Sequence, residues 1–295
     1  MDKRQIVLKN GEVISYLEQG IGDETIILIH GNFSSSVHYQ PLLERLPKNI
    51  RVLAPDLRGY GDSSYYRRIT SMIDFAEDMY LFMQAKLVKK AFVVGWSLGG
   101  GVALELAANH PEVVKKLVLI NSTTHQGYPI FKKNEQGVPQ IGEVYQSPEE
   151  LAKDKVQVVP LLEAQKNQNF AVMSFVFDKT IYTVGKPTEA QNELWIKESL
   201  KQKNLVDADW ALATLNMSDV HNFYNAGNQN ILKVKCPVLH TWGKKDIVVP
   251  EYMVLQNVKA LEKQSKLIVY ENCGHSPLVD VPDQLTEDIL EFIKS

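Results

Sequence analysis

Apolar residues in much of the chain are concentrated in short continuous runs, and longer segments of mixed polarity separate these runs. Continuous apolar runs of strand length are typical of strands covered on both faces, as in a parallel sheet beneath helices. The segments between the runs contain residues that favour helices. We therefore predict strands at residues 25–29, 50–54, 91–94, 116–120, 238–242 and 266–271, and helices at 37–46, 73–86, 102–108 and 283–294.

The N-terminal part of the chain has a different pattern. Residues 5–8 and 13–18 read as two strands joined at Asn10-Gly11, a strong hairpin signal. Alternating strands and helices after this hairpin predict right-handed crossovers and a doubly wound sheet. The fold class is thus α/β, with a mostly parallel sheet and an N-terminal antiparallel hairpin.

The alternation stops between residues 122 and 230. That stretch is punctuated by prolines and contains four helix-like segments, at 149–165, 169–181, 189–201 and 207–216. We interpret 122–230 as an inserted helical cap on a core domain of residues 1–121 and 231–295. We expect most of its aromatic and methionine side chains to attach it to the core, and a minority to line a substrate pocket.

The main candidate for chemistry is a Gly-x-Ser-x-Gly turn centred on Ser97, between a predicted strand and a predicted helix. This arrangement is a nucleophile elbow, in which Gly95 and Gly99 leave room for a close approach of the backbone. The serine then lies beside the first N–H groups of the helix, which have no partner within the helix and favour negative charge.

A serine hydroxyl is a weak nucleophile, so it needs a base and a group that orients the base. Asp246 and His275 follow two later strands, and the carboxyl ends of parallel strands lie at the same edge of a sheet. We therefore predict Ser97, Asp246 and His275 as catalytic residues, with Asp219 as the rival acid. The other histidines have no such placement and are expected to be structural or solvated: His38, His110, His125, His221 and His240.

The chain resembles cap-bearing serine hydrolases of the α/β-hydrolase fold family, which include carboxylesterases, serine haloperoxidases and carbon–carbon bond hydrolases. The resemblance covers the chain outside the insertion and rests on five stretches: His30-Gly31-Asn32-Phe33, Asp56 to Ser63, Gly95 to Gly100, Trp242 to Asp246 with Val249-Pro250, and Gly274 to Pro277. It implies an oxyanion hole formed by the backbone N–H groups of Asn32 and Leu98, with His30 supporting the loop. Phe33 and Trp96 are candidates for contact with substrate.

The resemblance implies hydrolysis of a small carboxylic ester, lactone or thioester by two-step acyl transfer. Relatives that open epoxides or remove halide have aspartate at the position of Ser97, which this chain lacks. Carbon–carbon bond hydrolysis stays an alternative, although those enzymes typically have asparagine where this chain has Trp96. A third possibility, from another class, is a non-catalytic receptor for a small ligand.

Composition limits the possible partners. The chain of 295 residues has 32 basic and 35 acidic side chains and a net charge of −3, which does not favour nucleic acid. We expect a small-molecule substrate and no nucleic-acid or membrane partner. The oligomeric state stays open. No metal or organic cofactor is expected, because metal-ligand spacings and a dinucleotide loop are absent from the sequence. Two cysteines and no signal-peptide pattern predict a cytoplasmic protein.

Overall fold

The computed structural model describes residues 2–295, in which ten strands form two sheets. The main sheet has eight strands in the order β1-β2-β4-β3-β5-β6-β9-β10. Its strands are β1 Arg4–Val7, β2 Val13–Gln19, β3 Thr25–Ile29, β4 Arg51–Pro55, β5 Ala91–Trp96, β6 Val114–Ile120, β9 Val238–Gly243 and β10 Ser265–Tyr270. The second sheet is a hairpin of β7 Phe131–Lys133 and β8 Pro139–Val144.

The pairing within the main sheet agrees with the expected topology. Strand β2 is antiparallel to both β1 and β4, while the other neighbouring pairs are parallel. The predicted mostly parallel sheet with an N-terminal antiparallel hairpin is therefore confirmed. The carboxyl ends of β3 and β5 lie side by side, because Ile29 is in register with Gly95.

Helices cover both faces of the sheet because successive strand residues point to opposite faces. In β3, Ile27 and Ile29 pack into one apolar cluster with α2 and α3, whereas Ile26 and Leu28 pack into a second cluster with α1 and α11. The core helices are α1 Gln40–Arg45, α2 Met72–Ala85, α3 Leu98–Asn109, α9 Glu251–Ala260, α10 Pro277–Asp280 and α11 Pro282–Lys294. Among the helices of residues 2–295, none has both the length and the apolar character needed to cross a membrane.

The segment between β6 and β9 differs from its prediction in two respects. Its helices are α4 Pro148–Leu151, α5 Val159–Lys166, α6 Phe170–Thr180, α7 Glu189–Ser199 and α8 Leu205–Thr214. The single helix expected at 149–165 was wrong: it is interrupted after α4, where the Asp154 carboxylate accepts hydrogen bonds from the N–H groups of Val156 and Gln157. The hairpin β7–β8 was not predicted, because β8 is largely exposed and lacks an apolar alternation.

The turn between β5 and α3 places Ser97 at the carboxyl edge of the sheet. Ser97 has φ 56° and ψ −120°, a conformation that residues with a side chain rarely adopt. The two flanking glycines permit it. A Cβ on Gly95 would lie 2.4 Å from the carbonyl oxygen of Gly99, and a Cβ on Gly99 would lie 2.1 Å from that of Ile29.

Gly99→Ala is expected to destabilise the protein strongly, because the added methyl group would overlap a backbone atom of β3 that has little freedom to move. Overpacking of this kind costs about 1–3 kcal/mol or more. The matched control is Gly101→Ala on the same helix, whose methyl group meets side-chain atoms of Thr123 and Leu215 at 2.9 and 3.2 Å. Urea unfolding of both variants checks this, and an equal loss in the two would contradict the packing argument.

Candidate active site

Three side chains from distant parts of the sequence form a continuous row of hydrogen bonds at the carboxyl edge of the sheet. Ser97 follows β5, Asp246 follows β9, and His275 follows β10. Ser97 Oγ lies 3.0 Å from His275 Nε2, and His275 Nδ1 lies 2.8 Å from Asp246 Oδ2. Because an ionised carboxylate only accepts, His275 Nδ1 carries a proton and Nε2 is free to accept from the serine hydroxyl.

The Asp246 carboxylate is held by four hydrogen-bond donors. Oδ1 accepts from the backbone N–H groups of Val248 and Val249, and Oδ2 accepts from Asn121 Nδ2 at 2.7 Å as well as from His275. Burial alone would raise the pKa of Asp246, but the charge and hydrogen bonds of His275, with those of Asn121 and the backbone, lower it below its usual value. The carboxylate is therefore ionised at neutral pH.

Asn121 was not predicted as part of the site. It follows β6 and also donates to the carbonyl oxygen of Gly274, so its amide fixes both Asp246 and the loop before His275. The available signal was a polar residue at the carboxyl end of a buried strand.

The His275 imidazole is held in place by its loop as well as by Asp246. Trp96 Nε1 donates to the carbonyl oxygen of His275 at 2.9 Å, and the N–H of Gly274 donates to Asp280 Oδ2 at 2.7 Å. The residue is only 1% exposed. Ser97, by contrast, is partly accessible. The nucleophile candidate thus faces open space while the base candidate is packed behind it.

Two backbone N–H groups beside Ser97 are free to bind an anion. Among residues 2–295, neither the N–H of Asn32 nor that of Leu98 has a hydrogen-bond acceptor. Leu98 is the first residue of α3, where no intrahelical acceptor exists. The N–H of Phe33 is unavailable, because it donates to Asn32 Oδ1 at 3.1 Å.

The Asn32 side chain joins the loop after β3 to two other parts of the chain. Its Oδ1 accepts from Tyr60 Oη at 2.8 Å and from Gln202 Nε2 at 2.9 Å, while Nδ2 donates to Asp209 Oδ1 at 2.9 Å. Beneath it, His30 Nε2 accepts from the N–H of Leu57. Burial lowers the pKa of His30 to about 4, so the ring is neutral.

A cavity of about 340 Å³ opens above Ser97 and is mostly apolar. Phe33 and Trp96, both predicted to contact substrate, line it. Of the aromatic and methionine residues of the segment 122–230, Tyr128 and Phe177 line the cavity, whereas most of the others pack against protein. Its lining includes Gly31, Asn32, Ser97, Leu98, His275, Thr123, Tyr128, Ile130, Gln157, Val176, Thr180, Ile181, Asp209, Leu212, Ile247, Val248 and Val249.

The alternative residues considered from the sequence lie elsewhere. Asp219 is exposed and does not contact His275. His38 stacks on Trp195, and His110 stacks on Tyr80. These placements leave His275 as the histidine beside Ser97.

One cluster in the described part of the chain has the donors of a metal site. Carboxylate oxygens of Asp56, Asp62 and Glu198 lie within 4.8 Å of one another. The ammonium group of Lys3 lies among them, 2.8 Å from Asp56, 2.9 Å from Asp62 and 2.5 Å from Glu198. A cation of the chain itself therefore already balances this cluster, which ties the N-terminus to α7.

Asp209 is a buried acid that sequence analysis missed. It lies on α8, lines the cavity and is 4% exposed. Burial raises its pKa to about 7, because the hydrogen bond from Asn32 only partly offsets the loss of water. The motif analysis had no reason to select an aspartate within a helix of the insertion.

We expect the Asp209 carboxyl to make stability depend on pH. The folded chain binds its proton more tightly than the unfolded chain, whose ordinary pKa is 3.8. Its contribution is therefore full below pH 3.8 and is lost as pH rises to about 7. Asp209→Asn keeps an acceptor for Asn32 but cannot ionise. The change that it causes in the free energy of unfolding should be more stabilising at pH 8 than at pH 4.5, by about 1–3 kcal/mol. Urea unfolding at both values checks this, and an effect independent of pH would contradict it.

Comparison with known proteins identifies relatives over nearly the whole chain. Lipase 1 of Psychrobacter immobilis is 26% identical, over 99% of this chain and 84% of that protein. Pimeloyl-[acyl-carrier protein] methyl ester esterase of Yersinia pseudotuberculosis is 26% identical, over 92% of this chain and 94% of that protein.

Solved structures agree at the level of the fold. An esterase from Exiguobacterium antarcticum superposes with a TM-score of 0.75 at 20% identity, over 100% of both chains. An enol-lactonase from Burkholderia xenovorans does so with a TM-score of 0.72 at 16% identity, over 99% of this chain and 100% of that one. A model of the alpha/beta hydrolase fold matches residues 24–282. The chain belongs to the α/β-hydrolase fold family.

Proposed function

We propose that this protein is a serine hydrolase that cleaves small carboxylic esters through Ser97, His275 and Asp246. The observation that carries the proposal is the row of hydrogen bonds from Ser97 to His275 and from His275 to Asp246, 3.0 and 2.8 Å long, at the floor of a cavity. The relatives named lipase and methyl ester esterase support ester hydrolysis as the reaction class.

In the proposed first step, Ser97 Oγ attacks the ester carbonyl carbon while His275 Nε2 takes the hydroxyl proton. Asp246, ionised and hydrogen-bonded to Nδ1, stabilises the imidazolium that forms. His275 then gives the proton to the leaving alkoxide, and an acyl group remains on Ser97. Water attacks this acyl group with His275 again as base, which releases the acid and restores the serine.

The developing oxyanion would accept hydrogen bonds from the backbone N–H groups of Asn32 and Leu98. Both groups lack an acceptor within residues 2–295 and belong to the folded backbone, so stabilisation of the charge would need little rearrangement. The N-terminal end of α3 adds positive potential at the same point.

We further propose that residues 122–230 act as a cap that selects the substrate. Helices α6 and α8 of this segment contribute Val176, Phe177, Thr180, Asp209 and Leu212 to the cavity lining. A mostly apolar cavity of about 340 Å³ lies near the lower end of the range for small-molecule sites, which favours short substrates. A cytoplasmic location is also a proposal, supported by Cys236 and Cys273, which are both free.

Ser97→Ala is expected to lower kcat/KM for 4-nitrophenyl acetate by about three orders of magnitude or more, because no other group can form the acyl intermediate. Labelling by a fluorophosphonate probe should be lost in parallel. Turnover that survives this substitution nearly unchanged would reject the proposal. A wild-type protein that neither turns over the ester nor labels at Ser97 would favour a non-catalytic receptor.

Asp246→Asn should lower kcat at least about a hundredfold with normal folding, because an amide cannot stabilise the imidazolium and favours the wrong histidine tautomer. The matched control is Asp219→Asn, since Asp219 is exposed and makes no contact with His275. We expect the control to change kcat less than about twofold. The reverse ranking, measured with the same ester, would place the catalytic acid in the insertion.

A further inference from the structure

The cavity above Ser97 contains a carboxyl group that the proposed mechanism does not use. Asp209 Oδ1 accepts a hydrogen bond from Asn32 Nδ2 at 2.9 Å. Its second oxygen, Oδ2, has no hydrogen-bond partner among residues 2–295, although the residue is 4% exposed and lines the cavity. This oxygen is therefore available to a molecule that occupies the cavity.

Other charged groups are almost absent from the cavity wall in the described part of the chain. Of residues 2–295, Asp209 is the single carboxyl group that lines the cavity, and no lysine or arginine does so. The other titratable groups of the wall are His275, paired with Asp246, and Tyr128, whose hydroxyl donates to the carbonyl oxygen of Val248. The lining also includes the aromatic rings of Phe33, Trp96, Tyr128 and Phe177 among aliphatic side chains. A wall with several aromatic rings and one acid suits a cation better than an anion.

Within residues 2–295, no cationic side chain contacts the Asp209 carboxylate. Asn32 and Tyr60 are neutral, and the Tyr60 hydroxyl is committed to Asn32 Oδ1. Lys133, whose charge acts on Asp209 from a distance, is paired with Asp154, whose own charge has the opposite effect. The effect of burial therefore dominates and raises the pKa of Asp209 to about 7, so the carboxyl group is partly protonated near neutral pH.

We propose that Asp209 is the subsite for a positively charged group of the substrate, so that the protein prefers small esters carrying an ammonium group. The proposal rests on the proposed ester hydrolysis at Ser97, which lines the same cavity as Asp209. The substrate cation acts as the counter-ion of the Asp209 carboxylate, and it interacts with the aromatic rings of the cavity wall. Esters carrying a carboxylate near this point are disfavoured by repulsion.

Binding of such a cation favours the ionised form of Asp209. At a pH near 7 the empty site is partly protonated, and a permanently charged ligand therefore displaces a proton. Below pH 6 the acid is mostly neutral and the preference for a cation weakens. The ratio of the rates for cationic and neutral esters isolates Asp209, because both esters use the same proposed catalytic residues.

The test compares butyrylcholine with 3,3-dimethylbutyl butyrate, in which carbon replaces the quaternary nitrogen. For the wild type we expect kcat/KM at pH 8 to be at least about tenfold higher for the choline ester, mainly through KM, and this ratio to fall as pH decreases to 5.5. Asp209→Asn should bring the ratio close to one at both pH values. The matched control is Asp207→Asn on the same helix, since Asp207 contacts Tyr65 and Arg68 outside the cavity. It should keep the wild-type ratio and its pH dependence.

A wild-type ratio near one at pH 8 with normal hydrolysis of both esters would overturn the subsite and leave the esterase proposal standing. A preference for the choline ester that persists in the Asp209→Asn variant would also overturn the subsite and leave the esterase proposal standing.

Binding to Ser97→Ala separates the two proposals further. Calorimetry of butyrylcholine at pH 7, in two buffers with different heats of ionisation, should show proton release that is lost when Asp209→Asn is added. If wild type hydrolyses neither ester yet this release is observed, the ester hydrolysis fails and the cation subsite holds. Binding without proton release would reject the subsite.

Discussion

The close approach of three backbone segments around Ser97 is the constraint on which the rest of the site depends. Added Cβ atoms at Gly95 and Gly99 would overlap the backbone, and one at Gly31 would lie 3.0 Å from Ser97 Cβ. Only glycine permits this packing. The serine is thereby held in a strained conformation at the start of α3, with its hydroxyl directed away from its own backbone turn toward His275.

The parallel sheet converts this local constraint into a complete site. Because β3 and β5 are neighbours in register, the loop after β3 with Asn32 and the start of α3 with Leu98 lie at the same edge of the sheet, where both residues line the cavity. Because β9 and β10 end at the same edge, Asp246 and His275 meet there as well. The catalytic geometry that we propose is thus largely a consequence of strand order, with Asn121 and Trp96 fixing the two loops.

The Asn32 side chain connects the segment 122–230 to this edge. Asn32 donates to Asp209 on α8 and accepts from Gln202, which follows α7, as well as from Tyr60 in the core. A change in the position of α8 would therefore reach the loop that carries the proposed oxyanion donor. This coupling connects the segment 122–230, which has no recognised sequence motif, to the edge of the sheet where Ser97, His275 and Asp246 meet.

The sequence was sufficient to predict what local chemistry determines. Continuous apolar runs revealed the buried strands, and the glycine spacing around Ser97 revealed the elbow. The hairpin β7–β8 was missed because β8 is largely exposed, and the break after α4 was missed because it depends on hydrogen bonds to a single side chain, that of Asp154. Asn121 and Asp209 acquire their roles only through contacts with residues far away in sequence, which no local pattern contains.

The most direct measurement of the central claim is the location of a trapped acyl group. Rapid acid quenching of a reaction with 4-nitrophenyl acetate, followed by peptide mass spectrometry, should show one acetyl group per chain on Ser97. The acetyl group should appear at the same rate as an initial burst of 4-nitrophenol. Product formation with no acetyl group on Ser97, or with the acetyl group on another residue, would contradict the account.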